Sequence, residues 1–241
     1  MRYDTRVSTS SACVLEEDRD LAELVPVAQQ EAARQASQAP LMLVAAGRWD
    51  ARTDADRAPH GFGLLVLDGL LIRRCGMDGR FGAELLAAGD LLRPWDFDGD
   101  DPLRFDTTWR VLSDARLAVL DDRWSARMSR YPRVGPALAG RALMRSRRLT
   151  TLMAIAQHPR LDVRLWMLFW ELADRHGRVC SDGVHVDLPL THEVLSNLAA
   201  ARRPSVSGSL TRLASAGRIR REGRGWILRG EPPLAASSNG R

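Results

Sequence analysis

The chain has 241 residues, of which 45% are hydrophobic and 27% charged, and this ordinary globular composition excludes wholesale disorder and a fibrous protein. No apolar run approaches the roughly 18 residues needed to span a bilayer, and the first residues lack the apolar stretch of a secretory signal. The 3 cysteines are far apart, which argues against a disulfide framework. We therefore expect a protein without a membrane segment in the reducing cytoplasm.

The basic residues are all arginine and are unevenly distributed. Residues 1–140 carry 18 arginines against 22 acidic residues, a net charge of −4, whereas residues 141–241 carry 17 against 8, a net charge of +9. A basic C-terminal part beside an acidic N-terminal part indicates that one part meets a polyanion. The alternative is a basic surface that is merely solvated.

The first half of the chain predicts a short helix followed by a β domain. Apolar residues at helical spacing predict a helix over 18–38. From 41 to 121, short apolar runs alternate with Asp-Gly and Gly-Asp pairs, which is typical of an all-β sandwich or barrel. Within this region, residues 64–73 predict a hairpin with Asp68-Gly69 at its turn. The other turn pairs are Asp78-Gly79, Gly89-Asp90 and Asp98-Gly99.

A long helix is predicted over 132–157, because Pro132 suits a first helical turn and Pro159 ends the segment. Six positions follow the 4-3-4-3-4 spacing of a coiled coil and form a narrow stripe on this helix. They are Leu138, Ala142, Arg145, Leu149, Leu152 and Ala156. The pattern favours dimerisation through a partner helix; the alternative is a helix that packs on its own domain.

The C-terminal part predicts one apolar helix, followed by two further helices that are joined by a tight turn. An almost wholly apolar helix over 161–176, ended by Gly177, forms the core of a small domain. After a short strand over 184–188, Thr191 can cap a helix that runs to about residue 200. Ala201-Arg202 makes the turn, and Pro204 presets the next helix. Leucine, valine and alanine side chains face inward, namely Leu195, Leu198, Ala199, Val206, Leu210 and Leu213, which is typical of a helix-turn-helix.

A two-stranded wing is predicted after Gly217. Residues 218–221 and 225–228 form its strands, and Glu222-Gly223-Arg224 its tip. The cationic cluster suited to phosphate contact is Arg218, Arg220, Arg221 and Arg224. The wing, the two helices and the net positive charge together favour winged-helix DNA binding over a generic pair of helices.

These residues resemble the Crp/Fnr family of bacterial transcription regulators. The most specific segment is 190–207, which includes the Arg-Arg-Pro-Ser-Val run, and Gly69 and Gly89-Asp90 match the family's β-roll. The resemblance implies an α+β fold with a jelly-roll-like N-terminal β-roll, a long dimerisation helix and a C-terminal winged helix-turn-helix. The implied domains are an N-terminal extension with a short helix (1–40), the cyclic-nucleotide-binding-like β-roll (41–131), the dimerisation helix (132–158), the winged helix-turn-helix (159–230) and a flexible tail (231–241).

The resemblance also implies a homodimer, not an enzyme, that docks its second helix into the major groove of a palindromic double-stranded site. RNA polymerase is a candidate partner. The residues expected to contact DNA are Thr191, Arg202, Arg203, Pro204, Ser205, Ser207, Gly208, Thr211, Arg212, Arg218, Arg220, Arg221 and Arg224. No catalytic triad, P-loop or dinucleotide fingerprint occurs in the required context.

The sequence departs from the family where ligands would bind. Arg93-Pro94-Trp95 replaces the Gly-Glu-Leu of cyclic-AMP-binding members, and Arg104-Phe105-Asp106 replaces their Arg-small pair. Pro94 lacks an N–H for a phosphate, and nearby acids such as Asp106 repel one. We therefore expect no control by cyclic nucleotide and leave the effector unknown.

No cofactor or metal site is expected. Cys13 stands alone where iron–sulfur members have a cysteine cluster. The acidic residues Asp96, Asp98 and Asp100 lack the glycine and glutamate of a calcium loop. The residues His176, Cys180, His185 and His192 match no zinc spacing, and Cys75 is more typical of a buried apolar residue than of a haem ligand.

A rival function is a β-roll protein that senses a small molecule and whose winged helix mediates protein contacts instead of DNA binding. A salt-dependent gel shift on specific duplex DNA distinguishes the two.

Overall fold

The computed structural model describes residues 5–51, 60–95 and 105–233. The chain divides into two compact units. The N-terminal unit comprises Met1–Met77 and Glu84–Arg148, and the C-terminal unit comprises Asp78–Ala83 and Leu149–Arg241. In the described part of the chain, no helix is both long and apolar enough to cross a membrane.

An antiparallel sheet dominates the N-terminal unit. Its strands are β1 (Thr5–Cys13), β2 (Gln38–Val44), β3 (Gly47–Trp49), β4 (Gly63–Met77), β5 (Arg80–Leu86), β6 (Leu91–Leu92) and β7 (Asp106–Leu120). They are ordered β1-β2-β7-β4-β5, with β3 paired to β7 and β6 to β4. The predicted α+β class, with its N-terminal sheet, long helices and C-terminal helix-turn-helix region, is confirmed.

Among the residues that the structure describes, five α-helices belong wholly or partly to this unit. They are α1 (Val14–Glu17), α2 (Arg19–Ala22), α3 (Gln30–Ala36), α4 (Asp122–Met128) and α5 (Val134–Ala156). The single helix predicted over 18–38 is wrong. Pro26, at φ −54° and ψ 138°, is extended and precedes a 3-10 turn at Val27–Gln29, and proline also lacks the N–H that a continuous helix would need.

The segment predicted as an N-terminal extension is part of the sheet. Strand β1 pairs with β2 from Thr5↔Val44 to Cys13↔Gln38. Serine and threonine dominate β1, so it lacks the apolar alternation that would mark a strand in the sequence.

The hairpin predicted at Asp68-Gly69 is also wrong, because β4 runs through this pair. The register of β4 against β7 shifts on both sides of Asp68, which is the signature of a β-bulge. Gly69 has φ +95°, and a Cβ there would lie 2.5 Å from the Asp114 carbonyl oxygen. A left-handed glycine serves a bulge as well as a turn. The actual hairpin follows at Asp78-Gly79, where both φ angles are positive, as in a type I′ turn.

The first turns of α5 belong to the core of the N-terminal unit. Leu138 is fully buried, in one apolar cluster with Trp124 and Val134. The helix begins at Val134, two residues later than predicted, and Pro132 lies in the turn before it.

Three arginines continue this buried face of α5 along one side of the helix, and we call Arg141, Arg145 and Arg148 the arginine stripe. Arg145 is its central member and binds Glu84, with Nη2 to Oε1 at 2.6 Å and Nε to Oε2 at 3.0 Å. Arg73 of β4 binds the same carboxylate at 2.6 Å. The side chain of Glu84 is only 5% exposed, so two guanidinium groups share one buried carboxylate.

The other two arginines of the stripe have carboxylate partners as well. Arg141 forms a two-pronged pair with Asp18, and Arg148 donates to Asp90 at 2.6 Å. Asp90 is 3% exposed and also accepts the backbone N–H of Ala87 at 2.9 Å. Three ion pairs therefore fix how α5 is rotated against its own unit.

Burial lowers the pKa of both guanidinium groups, but the net shifts differ. Desolvation lowers the pKa of Arg73 and outweighs its attraction to Glu84. Desolvation acts on Arg145 as well, but its hydrogen bonds to Glu84 and its attraction to Glu84 and Asp90 together outweigh it and raise the pKa. Both guanidinium groups remain charged at neutral pH, since the pKa of arginine lies far above neutral.

The C-terminal unit is built from three helices and a small sheet, together with the end of α5. The elements are α6 (Leu161–His176), β8 (Gly177–Cys180), β9 (Gly183–Val186), α7 (His192–Leu198), α8 (Arg203–Ser215), β10 (Ile219–Glu222) and β11 (Gly225–Leu228). The sheet is ordered β10-β11-β9-β8. The apolar helix over 161–176, the helix-turn-helix and the wing are confirmed, whereas β8 was not predicted.

We expect Glu84→Gln to lower the free energy of unfolding by about 3–5 kcal/mol, because it removes the carboxylate that Arg73 and Arg145 share and leaves both guanidinium groups buried beside a neutral amide. Urea unfolding followed by tryptophan fluorescence measures the change. Glu17→Gln is the control, since Glu17 pairs with Arg116 at 2.6 Å at a more exposed site and should cost no more than about 1 kcal/mol. Equal losses in the two variants would contradict the role of Glu84.

Candidate nucleic-acid interface

The start of α7 is fixed by a side-chain cap and by two donors on one carbonyl. The Thr191 hydroxyl accepts the N–H of Val194 at 3.2 Å, which confirms the predicted N-cap. Just before it, the Leu190 carbonyl accepts Trp226 Nε1–H at 3.1 Å and Arg221 Nη1–H at 3.0 Å. The first helix of the pair is thereby tied to the base of the wing.

The turn between α7 and α8 contains a left-handed alanine. Ala200 has φ +47°, a conformation that costs an L-residue about 1–2 kcal/mol. The Ala201 N–H donates to the Ser196 carbonyl at 2.9 Å, which closes the end of α7. Arg164 of α6 donates to the neighbouring Ala199 carbonyl at 2.8 Å.

Helix α8 has one buried face and one exposed face. Val206, Leu210 and Leu213 are buried, as predicted, and so are the inward residues of α7. The exposed or half-exposed residues include all the predicted contacts on this helix, namely Arg203, Pro204, Ser205, Ser207, Gly208, Thr211 and Arg212. Sequence periodicity thus placed the whole predicted set on the solvent side.

Arginines at the start of α8 are available to a ligand. Arg202 and Arg203 are exposed, and Arg202 makes no side-chain cap. Further along, Arg212 is held by the Ser209 hydroxyl at 2.7 Å. The exposed N-terminal turn of α8 therefore carries two long cationic side chains, and the residues beside them, such as Pro204 and Ser205, are small.

A hydrogen-bond chain links the two helices, and sequence analysis missed it. Ser207 Oγ donates to the Arg203 carbonyl at 3.2 Å and lies 2.8 Å from His192 Nδ1. The His192 ring and the Ser207 hydroxyl therefore share a hydrogen bond across the turn. Helical spacing could have suggested the Ser207–Arg203 bond, but the contact across the turn depends on tertiary structure.

The predicted wing arginines lie together but differ in their partners. Arg220 pairs with Asp182 at 2.8 Å, and Arg224 pairs with Asp187 at 3.3 Å; both pairs are exposed. Arg221, besides binding the Leu190 carbonyl, lies 5.0 Å above the Trp226 ring. Arg218 lies 5.5 Å above the Trp166 ring. Arg221 thus connects the wing to the start of α7, a structural role that its position in the sequence did not indicate.

The six predicted dimerisation positions do not share one environment. Leu138 is fully buried in its own unit and Arg145 binds Glu84, so these two are occupied within the chain, because the ion pairs turn this side of α5 inward. Ala142 is exposed, and Leu149, Leu152 and Ala156 are partly buried.

The exposed face of α5 consists of the residues that follow the predicted dimerisation positions by one. Ala139, Leu143, Ser146, Thr150 and Met153 are all exposed and follow 4-3-4-3 spacing. Leu143 is 72% and Met153 69% exposed, and the adjoining Met144 is 51% exposed. Large apolar side chains at such exposure are unusual on a helix without a partner. We call this set the outer face of α5.

Three tryptophans pack in or against the apolar core of the described part of the β-roll. Trp49 and Trp109 are buried and meet edge to face, with centroids 5.6 Å apart, and Trp95 packs against the same cluster. Gly89, at φ +88°, forms the predicted turn. Phe105, by contrast, is 46% exposed, and residues 96–104 lie outside the described part.

Two histidines of the rejected metal set have other partners. His185 Nε2 contacts the Glu222 carboxylate, and His192 bonds Ser207. Within residues 5–51, 60–95 and 105–233, no three metal-ligating side chains converge. The acidic residues Asp96, Asp98 and Asp100 lie outside these ranges.

Comparison with known proteins identifies the C-terminal unit. Residues 163–236 match the model of the Crp-like helix-turn-helix domain family. The regulatory protein CysR of Synechococcus elongatus is 34% identical over 99 residues, which are 39% of this chain and 48% of that relative. The chain thus matches about half the length of this curated relative.

Solved structures resemble the fold over most of the chain. A CooA mutant from Carboxydothermus hydrogenoformans has a TM-score of 0.62 at 13% identity, covering 93% of this chain and 94% of its own. A cyclic nucleotide-binding domain containing protein from Listeria monocytogenes also has a TM-score of 0.62, at 14% identity, covering 88% and 96%. At these identities the likeness concerns fold alone. The resemblance to Crp/Fnr regulators is confirmed as a Crp-like helix-turn-helix domain at residues 163–236 and as a shared fold elsewhere.

Proposed function

We propose that this chain is a homodimeric, sequence-specific DNA-binding transcription regulator of the Crp/Fnr type. The observation that carries the proposal is the exposed start of α8, where Arg202 and Arg203 project from a helix whose opposite face is buried. In helix-turn-helix proteins the N-terminal residues of the second helix contact base edges. The matched helix-turn-helix domain supports the same conclusion.

The proposed DNA surface combines base contacts with phosphate contacts. Arg203 is proposed to pair with a guanine edge through two hydrogen bonds, and the small residues Ser207 and Gly208 would let the helix approach the groove. Arg218, Arg220 and Arg224 of the wing supply phosphate contacts, which give affinity without sequence information. Arg221 supports the wing through the Leu190 carbonyl.

We expect Arg203→Ala to weaken binding to the cognate duplex by roughly 5- to 150-fold, since a bidentate contact to guanine contributes about 1–3 kcal/mol. Binding to random duplex should weaken much less, by the loss of one charge. Fluorescence anisotropy at fixed salt, on cognate sites selected from a random duplex pool, measures both affinities.

Arg178→Ala is the control for charge, because Arg178 is an exposed arginine on β8 in the same unit. It should leave the preference for cognate over random DNA unchanged. Equal weakening of Arg203→Ala on both duplexes would contradict base contact by Arg203. No selectable duplex at all would favour the rival function in which the winged helix binds protein.

The dimer is proposed to form through the outer face of α5. This face keeps the heptad spacing of a coiled coil, whereas the neighbouring face that includes Leu138 and Arg145 is held by the N-terminal unit. Burying Leu143 and Met153 against a second copy stabilises association by about 1.5–3 kcal/mol for each side chain. A two-fold dimer then presents two α8 helices to a palindromic site.

Leu143→Asp should convert the dimer into monomers that bind a palindromic site poorly, because it places two charges opposite each other in an apolar interface. Light scattering measures the mass, and circular dichroism checks that the variant is folded. Leu149→Asp is the comparison from the originally predicted positions. If Leu149→Asp dissociates the dimer and Leu143→Asp does not, the outer face is not the interface.

Control by cyclic nucleotide is not part of the proposal. A cyclic phosphate needs a cation and several donors to offset its desolvation. The described β-roll interior instead contains packed tryptophans and carboxylates, and Asp90, beside the family-like turn, is already paired with Arg148. Pro94 is buried and offers no N–H.

Calorimetric titration with cyclic AMP and cyclic GMP should give no binding heat at micromolar concentration, and neither nucleotide should change the affinity for the selected duplex. Titration with that duplex in the same buffer is the control that the protein is active. Micromolar binding of either nucleotide, together with tighter DNA binding, would restore the ordinary family mechanism.

A further inference from the structure

Arg164 forms a bridge inside the C-terminal unit that connects the end of α5 with the turn of the helix-turn-helix. It lies one turn into α6 and is half-buried. Its Nε and Nη2 donate to the His158 carbonyl at 3.1 and 2.7 Å, and its Nη1 donates to the Ala199 carbonyl at 2.8 Å. We call this arrangement the Arg164 bridge.

Both acceptors lie where helices end. His158 follows α5 by two residues, and its N–H donates to Ile155 at 3.1 Å as the helix terminates. Ala199 is the C-cap of α7, is fully buried, and precedes the left-handed Ala200 that sends the chain into α8. Carbonyls at helix ends lack partners within the helix, so the guanidinium satisfies two such groups at once.

The chemistry of the bridge requires arginine. A planar guanidinium carries five N–H donors in a rigid fork, whereas an ammonium is a single point on a flexible stem. One plane therefore sets the distance and angle between the α5–α6 linker and the end of α7. Other contacts hold α7 and α8 together, but this bond joins them to the linker that follows α5.

We propose that Arg164 is a positioning residue that sets the separation of the two DNA-binding helices, a role that rests on the function proposed above. In a dimer formed through α5, the path from one recognition helix to the other runs through α5, its linker and the helix-turn-helix of each subunit. Half-sites one helical turn apart, about 34–36 Å, require a nearly constant distance between the two recognition helices. Arg164 restricts variation in this distance without touching DNA.

The test compares full sites with half-sites. Cognate duplexes are first selected from a random pool with the wild-type chain. Two further sets are then made from them: full sites whose half-sites are moved apart or together by one or two base pairs, and single half-sites. Wild type should favour the selected spacing. Arg164→Gln should bind the selected full site about tenfold more weakly, the scale of one charged hydrogen bond, and should lose most of its spacing preference. Its affinity for a half-site should stay within about twofold of wild type, because the base contacts are unchanged.

Arg160→Gln is the matched control, since Arg160 lies in the same linker and forms an exposed pair with Asp162 at 2.8 Å. It should keep the wild-type spacing preference. Arg164→Lys keeps the charge but cannot join both carbonyls, so it should behave like Arg164→Gln and serves if the glutamine variant does not fold by circular dichroism.

Three results would overturn the role of Arg164. They are an equal weakening on full and half-sites with the spacing preference intact, a wild-type spacing preference in Arg164→Lys, or loss of folding in both variants. A wild-type chain that selects no duplex would overturn the proposed function itself, and this role with it.

Discussion

The carboxylate of Glu84 lies between two guanidinium groups in a place that water scarcely reaches, and the orientation of α5 follows from it. Arg73 and Glu84 both lie in the sheet, whereas Arg145 comes from the helix, so Arg145 reaches this carboxylate only when the helix turns this side inward. A buried charge without a partner is far more costly than an exposed one, which makes other rotations of the helix unfavourable. Asp18 and Asp90 repeat the constraint at the other two arginines of the stripe.

Because the stripe fixes which side of α5 is inside, it also determines which side is left outside. Leu143 and Met153 are exposed and lie on the side of α5 away from these carboxylates. The C-terminal unit uses arginine in a different way, with guanidinium groups on backbone carbonyls at Leu190, His158 and Ala199. Ion pairs thus orient the long helix, and carbonyl bridges hold the parts of the winged helix.

The sequence predicted best where local signals and tertiary structure agree. The cap at Thr191, the start of α8 at Arg203 and the inward residues of α7 and α8 depend on helix geometry alone, so periodicity and capping rules were sufficient. Gly69 shows the opposite case, since a left-handed glycine is required by a bulge and by a hairpin alike, and only strand pairing distinguishes them. The inward face of α5 could not be predicted for a related reason: heptad spacing describes a periodicity, whereas the side that turns inward depends on carboxylates 58 to 123 residues away in the chain, as at Asp90 and Asp18. A contact such as the Arg164 bridge produces no periodic pattern in the sequence, so periodicity cannot predict it.

The exclusive use of arginine has a consequence for regulation. Acetylation of lysine removes a positive charge and is a common way to weaken contacts with DNA, but these 241 residues contain no lysine to accept the acetyl group. Guanidinium groups also stay protonated across the physiological pH range. The guanidinium groups that orient α5, bridge the winged helix and form the proposed DNA surface therefore keep a constant charge. Under the proposed function, regulation would then act through geometry or through association between subunits.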